Sequence, residues 1–175
     1  MDVRERLFIR RAEERDFPSI LHIYEEARKY MAENGNPTQW VDGYPKESLL
    51  RQDMEKEALY VCEDMEDKNI LAVFALFIGV EDPNYAYIED GAWDNDEPYG
   101  VIHRIAVARE AHGKNVGLYC LERCCERTKN MRIDTHRDNI PMQKVIERAG
   151  FHYCGIVYME DGSPRFAYMR ITDKQ

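Results

Sequence analysis

Apolar residues along the chain change period at marked points. Leu7 to Ala12 reads as a first strand. From Phe17 the apolar positions fall at helical spacing (Phe17, Ile20, Leu21, Tyr24, Ala27, Met31), which predicts an amphipathic helix over 17–33. Asp16 is placed to cap that helix, Pro18 sits in its first turn, and Asn34-Gly35 stops it. Asn36 to Pro45 is a loop holding Trp40 and Tyr44, and Lys46 to Lys56 is a second, shorter helix. Ala58 to Cys62 reads as a strand and Asp64 to Asn69 as a polar turn. Ile70 to Ile78 is the longest apolar run and predicts a central strand.

Asp82 to Pro98 is an acidic, aromatic excursion with Tyr85, Tyr87, Glu89 and Trp93. It reads either as a solvated loop pinned by its aromatics or as a rim that attracts an amine. Val101 to Val107 predicts a buried strand, Val116 to Thr128 a helix, and Met131 to Thr135 a short strand. Asp138 and Asn139 open another helix, which Gly150 ends. Phe151 to Tyr158 and Arg165 to Ile171 form a hairpin about the turn 160–164. The order β-α-α-β-β-β-α-β-α-β-β describes a mixed α/β (α+β) domain with helices on both faces of its sheet. A purely parallel sheet is excluded, because the middle and final strands have no helix between them.

A length of 175 residues fits one domain with a sizeable core, expected over 7–175. The longest apolar run is too short to span a bilayer, and MDVRERLFIRR has no apolar leader segment, so no membrane partner is expected. Five cysteines occur without a CxxC pair, and Cys120, Cys124 and Cys125 share one helical pattern. They read as reduced core thiols in a cytoplasmic protein, and no metal site is expected. The net charge of -9 argues against nucleic-acid binding and is compatible with a cationic or neutral substrate.

The chemistry concentrates at Tyr99 to Gly117: a strand, a tight turn and a helix start. Free N–H groups and the helix dipole at such a turn suit a phosphate, particularly a pyrophosphate. Neither GxxxxGK[ST] nor GxGxxG is present, and many strand–turn–helix units bind nothing.

Particular residues carry a family likeness. His103-Arg104-Ile105-Ala106-Val107, followed by His112-Gly113-Lys114-Asn115-Val116-Gly117, resembles the fourth strand and following turn of the GNAT-type N-acetyltransferases. Asn139 and Gly150-Phe151 match the opening and close of the family's next helix. The resemblance runs from Phe8-Ile9-Arg10-Arg11-Ala12 to the last strand. It implies a mixed, mostly antiparallel sheet of about seven strands, with the fourth and fifth splayed apart. It also implies transfer of acetyl from acetyl-CoA to a primary amine of a small molecule or peptide.

By the same resemblance, Ile105, Ala106 and Val107 would line the pantetheine arm, with the Val107 N–H facing the developing oxyanion. His112, Gly113, Lys114, Asn115, Val116, Gly117 and Leu118 would cradle the pyrophosphate. Asn139 would bind the pantetheine or hold the splayed strand, and Gln143 or Lys144 would lie near the nucleotide. Three positions depart from the family pattern. His112 replaces Arg or Gln, with Lys114 or Arg109 as substitute cations. Asn115 replaces Gly, a change that left-handed backbone tolerates. Ile146 replaces a Tyr that acts as proton donor in many members.

Amine acetylation needs a base to free the nucleophile. Asp134 is the first candidate, against the alternative that it pairs with Arg104 or Arg132. His103 comes second and Glu97 or Glu89 third, with Tyr158 or Tyr119 as the acid. Trp40, Tyr44, Glu89 and Trp93 are candidates to wall a pocket for a cationic substrate. The changes at His112, Asn115 and Ile146 keep open a second reading, a CoA-binding regulatory module with reduced catalysis. The last hairpin is a candidate contact for a homodimer.

Overall fold

The computed structural model describes residues 2–173. Lys174 and Gln175, the end of the expected domain, lie outside the described residues. The strands are β1 (Leu7–Arg11), β2 (Leu59–Asp64), β3 (Ile70–Ile78), β4 (Gly100–Val107), β5 (Asn130–Thr135), β6 (His152–Tyr158) and β7 (Pro164–Ile171). The helices are α1 (Phe17–Glu33), α2 (Glu47–Glu55), α3 (Val116–Cys125) and α4 (Ile140–Arg148). Their order along the chain is the expected one. The strands form one seven-stranded sheet in the order β1-β2-β3-β4-β5-β7-β6. β1 with β2, β2 with β3, β5 with β7 and β6 with β7 are antiparallel, whereas β4 and β5 are parallel. The β4–β5 register holds two pairs, Gly100↔Met131 and Val101↔Arg132, after which β5 continues to Thr135 against β7. This short ladder is the expected splay of the fourth and fifth strands.

The chain packs as two compact units, Met1–Leu76 with Arg104–Cys120, and Phe77–His103 with Leu121–Gln175. In the first unit, Phe17, Ile20, Ile23 and Tyr24 of α1 bury one helical face against Leu59, Val61, Val73 and Ala106, with Leu50 of α2. These apolar faces supply the main driving force for burial. Asp16 does not cap α1 with its side chain. Its carboxylate accepts from the Glu13 N–H at 2.7 Å and takes the Arg10 guanidinium as a fork at 2.7 and 2.8 Å. A half-buried cation thus outcompetes the helix amides for the same oxygens. Arg10 also binds Glu63 at 2.8 Å, which ties β1 to β2 and to the start of α1.

In the second unit, Tyr85, Tyr99, Val101, Val157 and Ala167 form the core, with Ile88 and Trp93 packed on it. The 82–98 excursion is therefore anchored by its aromatics, while Asp90, Asp94, Asp96 and Glu97 are exposed. Gly100 sits close under Met131 and Thr128, so a Cβ there would make those side chains shift. α3 stops at Cys125, short of the expected Thr128. Bonds from Glu126 N–H to Arg123 O and Arg127 N–H to Cys124 O tighten the final turn. The excursion also covers the outer edge of β6. Glu89 and Ile156 exchange backbone bonds at 2.8 Å each, and Ala92 N–H donates to Cys154 O at 2.9 Å.

Candidate active site

In the first unit the site begins with one left-handed residue inside β4. Arg104 has φ of 56°, a left-handed conformation that is costly for a side chain of this size. Four bonds hold it. Its carbonyl accepts the Tyr24 O–H at 2.7 Å, its guanidinium forks onto Asp53 at 2.9 and 3.0 Å, and Nη1 reaches the Tyr44 hydroxyl at 3.3 Å. The Arg104 and Asp53 side chains are only 11% and 2% exposed, so each depends on the other. Further on, Ala108 N–H donates to Leu71 O of β3 at 2.8 Å. Backbone groups alternate along a strand, so the N–H and C=O of Val107 and Ile105 face the edge away from β3. Val107 O meets His112 Nε2 at 3.2 Å.

The turn that follows has the expected backbone. Gly113 and Asn115 are left-handed, with φ of 79° and 62°. The first backbone bond of α3 runs from Tyr119 N–H to Asn115 O at 3.0 Å. The amides of Val116, Gly117 and Leu118 come before any carbonyl one turn back, and the helix dipole adds to their positive character. Lys114 is exposed beside them. This donor set fits a pyrophosphate. Arg109 is not an available cation. It is held by Glu26 at 2.9 Å and Glu33 at 3.2 Å. His112 is exposed and rests edge-on against Tyr30, with ring centres 4.7 Å apart.

Trp40 and Tyr44 also lie in this unit. Trp40 packs on the α1 core, edge-on to Tyr24 at 5.6 Å, so it plugs the core at least in part. Tyr44 is exposed and touches Arg104. Tyr119 gives its hydroxyl to Leu7 O at 3.2 Å, a structural bond.

Three pairs of a proton carrier and a carboxylate in the second unit involve the candidate residues. Tyr85 donates its O–H to Asp134 Oδ2 at 2.6 Å. Burial, and then the Asp134 charge, push the Tyr85 phenol well above its ordinary range, so it stays protonated. His103 Nε2 lies 2.8 Å from Asp82 Oδ2, with the His103 ring 6.2 Å from the Tyr85 ring. Tyr158 donates to Glu89, which raises the Tyr158 phenol. Neither Tyr85 nor Asp82 was singled out for chemistry by the sequence. Their partners lie on other elements, and only the acidic, aromatic character of the excursion pointed toward them.

The alternative that Asp134 pairs with Arg104 or Arg132 is corrected: its partner is a phenol. Arg104 binds Asp53, and Arg132 is stacked between Trp93 and Tyr99, 4.1 and 3.9 Å from their ring centres. Trp93 therefore offers its face to the protein's own cation, which runs against its expected place in a substrate wall. Its indole N–H donates to Tyr85 O at 2.9 Å. Glu97 lies at the surface against Lys129, 3.3 Å away. Asn139 caps α4 through Met142 N–H, and Gln143 Nε2 donates to His136 O and Arg137 O, fixing the turn between β5 and α4. Ile146 is fully buried and supplies no proton.

The comparisons agree with this fold. The family model described as Acetyltransferase (GNAT) family matches residues 12–151. A GNAT-family acetyltransferase from Streptococcus agalactiae 2603 is 30% identical, with 96% of each chain covered and a TM-score of 0.87. One from Listeria monocytogenes 4b F2365 is 18% identical over 95% of each chain, with a TM-score of 0.71. A Salmonella typhimurium protein assigned to the acetyltransferases, solved with its cofactor acetyl-CoA, has a TM-score of 0.62 at 15% identity, covering 97% of this chain and 96% of its own. Among curated proteins none matches the sequence. Among the described residues no helix is long and apolar enough to cross a membrane. The chain belongs to the GNAT family of acetyltransferases, whose acetyl donor is acetyl-CoA.

Proposed function

We propose that the chain acetylates a primary amine of a small molecule or peptide by direct attack. The observation that carries this reading is the set of three hydrogen-bonded proton carriers in one unit: Tyr85–Asp134, His103–Asp82 and Tyr158–Glu89. Acetyl-CoA supplies an activated thioester carbonyl and a thiolate leaving group. The amides of Val116 to Leu118, with Lys114 and the left-handed Gly113 and Asn115, hold its pyrophosphate. Ile105 and Val107 offer backbone groups to the pantetheine arm. The Val107 N–H stabilises the negative charge that grows on the carbonyl oxygen.

An alkylammonium must lose a proton before it can attack. Asp134 was the first candidate base, yet its Oδ2 is occupied by the Tyr85 O–H. Its other oxygen suits an ammonium that must be held. His103, oriented by Asp82, then takes the proton, the task for which imidazole is the commonest protein base. Tyr158, kept protonated beside Glu89, serves as proton source for the thiolate. We place the reaction in the cytoplasm, supported by five free and buried thiols. A homodimer built on the last hairpin has to use its face, because the outer edge is occupied at residues 154–156.

The reading is tested by following thiol release from acetyl-CoA over a panel of primary amines and peptide N-termini. At least one amine is expected to turn over, and His103→Gln to slow it with little change in acetyl-CoA affinity. Cofactor binding without release across the whole panel would overturn the reading in favour of a regulatory CoA-binding module.

A further inference from the structure

His152 and Cys154 flank Tyr153 on β6, where an irregularity between Tyr153 and Gly155 interrupts the alternation of the strand and brings both side chains to one place. Asp94 of the excursion meets them there. His152 Nε2 lies 2.8 Å from the Asp94 carboxylate, and one ligand atom from each of the three residues falls within 4.8 Å of the other two. Backbone contacts build this meeting. Ala92 N–H is bonded to Cys154 O, and Gly91 sits so close to that carbonyl that any Cβ would overlap it. The Asp94 and His152 side chains are 30% and 55% exposed, while Cys154 is buried. Solvent thus reaches the imidazole and carboxylate, and the sulfur is shielded behind them. Burial pushes the Cys154 thiol up to about 11, with Arg132 pulling the other way.

We propose that Asp94, His152 and Cys154 bind a divalent transition-metal ion of the zinc type. Imidazole, thiolate and carboxylate form the mixed donor set such an ion takes, with water completing a four-coordinate shell. Ligand distances of about 2.0–2.3 Å place neighbouring donors roughly 3.3–3.8 Å apart, so the 2.8 Å His152–Asp94 edge opens while edges within the present 4.8 Å limit close. The ion replaces the His152–Asp94 hydrogen bond, and the Cys154 thiol releases its proton to solvent on binding. Residue spacing does not point to this site, because Asp94 is remote in the chain and no CxxC pair is present. Occupancy would clamp residues 89–94 onto β6.

The test uses the full chain, freed of metal by a chelator and then titrated. Zinc is added in competition with a chromophoric chelator, and cobalt(II) is followed for a thiolate-to-metal charge-transfer band. One equivalent of metal and a clear cobalt–thiolate band are expected. His152→Gln and Cys154→Ser should each weaken binding at least ~10-fold. Cys154 is buried, so His152→Gln and Asp94→Asn, both at the surface, carry the test if Cys154→Ser fails to fold. Absence of the cobalt–thiolate band, or zinc affinity unchanged by His152→Gln, would overturn the proposal. None of these readouts depends on acetyl transfer.

Discussion

The Tyr85 phenol donates to Asp134 Oδ2 at 2.6 Å, joining residues 49 positions apart. The phenol is buried and stays protonated, so in the proposed reaction this bond fixes which Asp134 oxygen would hold the amine. Asp134→Asn is expected to raise the amine KM and to cut kcat/KM by about 10²-fold, the scale of a lost charge-assisted contact in a desolvated site. Tyr85→Phe should give a smaller loss in the same direction. Steady-state kinetics against amine concentration, at saturating acetyl-CoA, check both. A loss confined to the acetyl-CoA KM would contradict the assignment.

His103 and Asp82 form a separate couple with its own signature. His103→Gln is expected to lower kcat by roughly 10²-fold or more, the range of general-base catalysis. Asp82→Asn leaves the imidazole in place but unoriented, and its loss should be partial. An unchanged kcat in His103→Gln would move the base elsewhere.

The phosphate turn makes a prediction about binding alone. Gly113→Ala places a side chain at φ of 79°, a strain of about 1–2 kcal/mol, and disturbs the amides that follow. Lys114→Ala removes the exposed cation beside them. Calorimetry with acetyl-CoA should show weaker binding for both. Because ionic contacts are screened, the Lys114→Ala deficit should shrink as salt rises.

Asp16 links stability to pH. Burial opposes its charge, but the Arg10 guanidinium and the Glu13 N–H together hold the carboxyl below the ordinary carboxylate range. The folded value thus lies below the unfolded one. The stabilisation is complete above the unfolded value, near 3.9, and disappears as pH falls through the folded value. Asp16→Asn should cost about 2 kcal/mol at neutral pH. Urea melts should show the gap between the two proteins closing as pH drops below about 4.

The helices and strands were legible because each buries one face, and a buried face leaves a period in the sequence. The left-handed Asn115 was legible too, since Asn is among the few residues that tolerate that backbone. What escaped was pairing over distance. The pattern left Asp134 open between a base and the partner of an arginine, yet the nearby arginines are committed elsewhere, Arg104 to a buried aspartate and Arg132 to two aromatic faces. Asp16 looked like a helix cap for the same reason: its local role was visible, and the competing Arg10 was not. Trp93 read as a surface for a ligand because composition does not reveal that another side chain already covers a ring.

The backbone cover on β6 has a consequence for how this chain behaves before it is folded. A terminal strand with free amides is a template for adding strands from other molecules, and fibrils grow from such edges. Here the template is shut by a segment far away in the chain, through two glycines, Gly91 and Gly155, that admit nothing larger at the contact. Until that segment docks, the edge stays open. Substitutions at either glycine should therefore show first as aggregation during expression and refolding, even where the hydrophobic core is untouched.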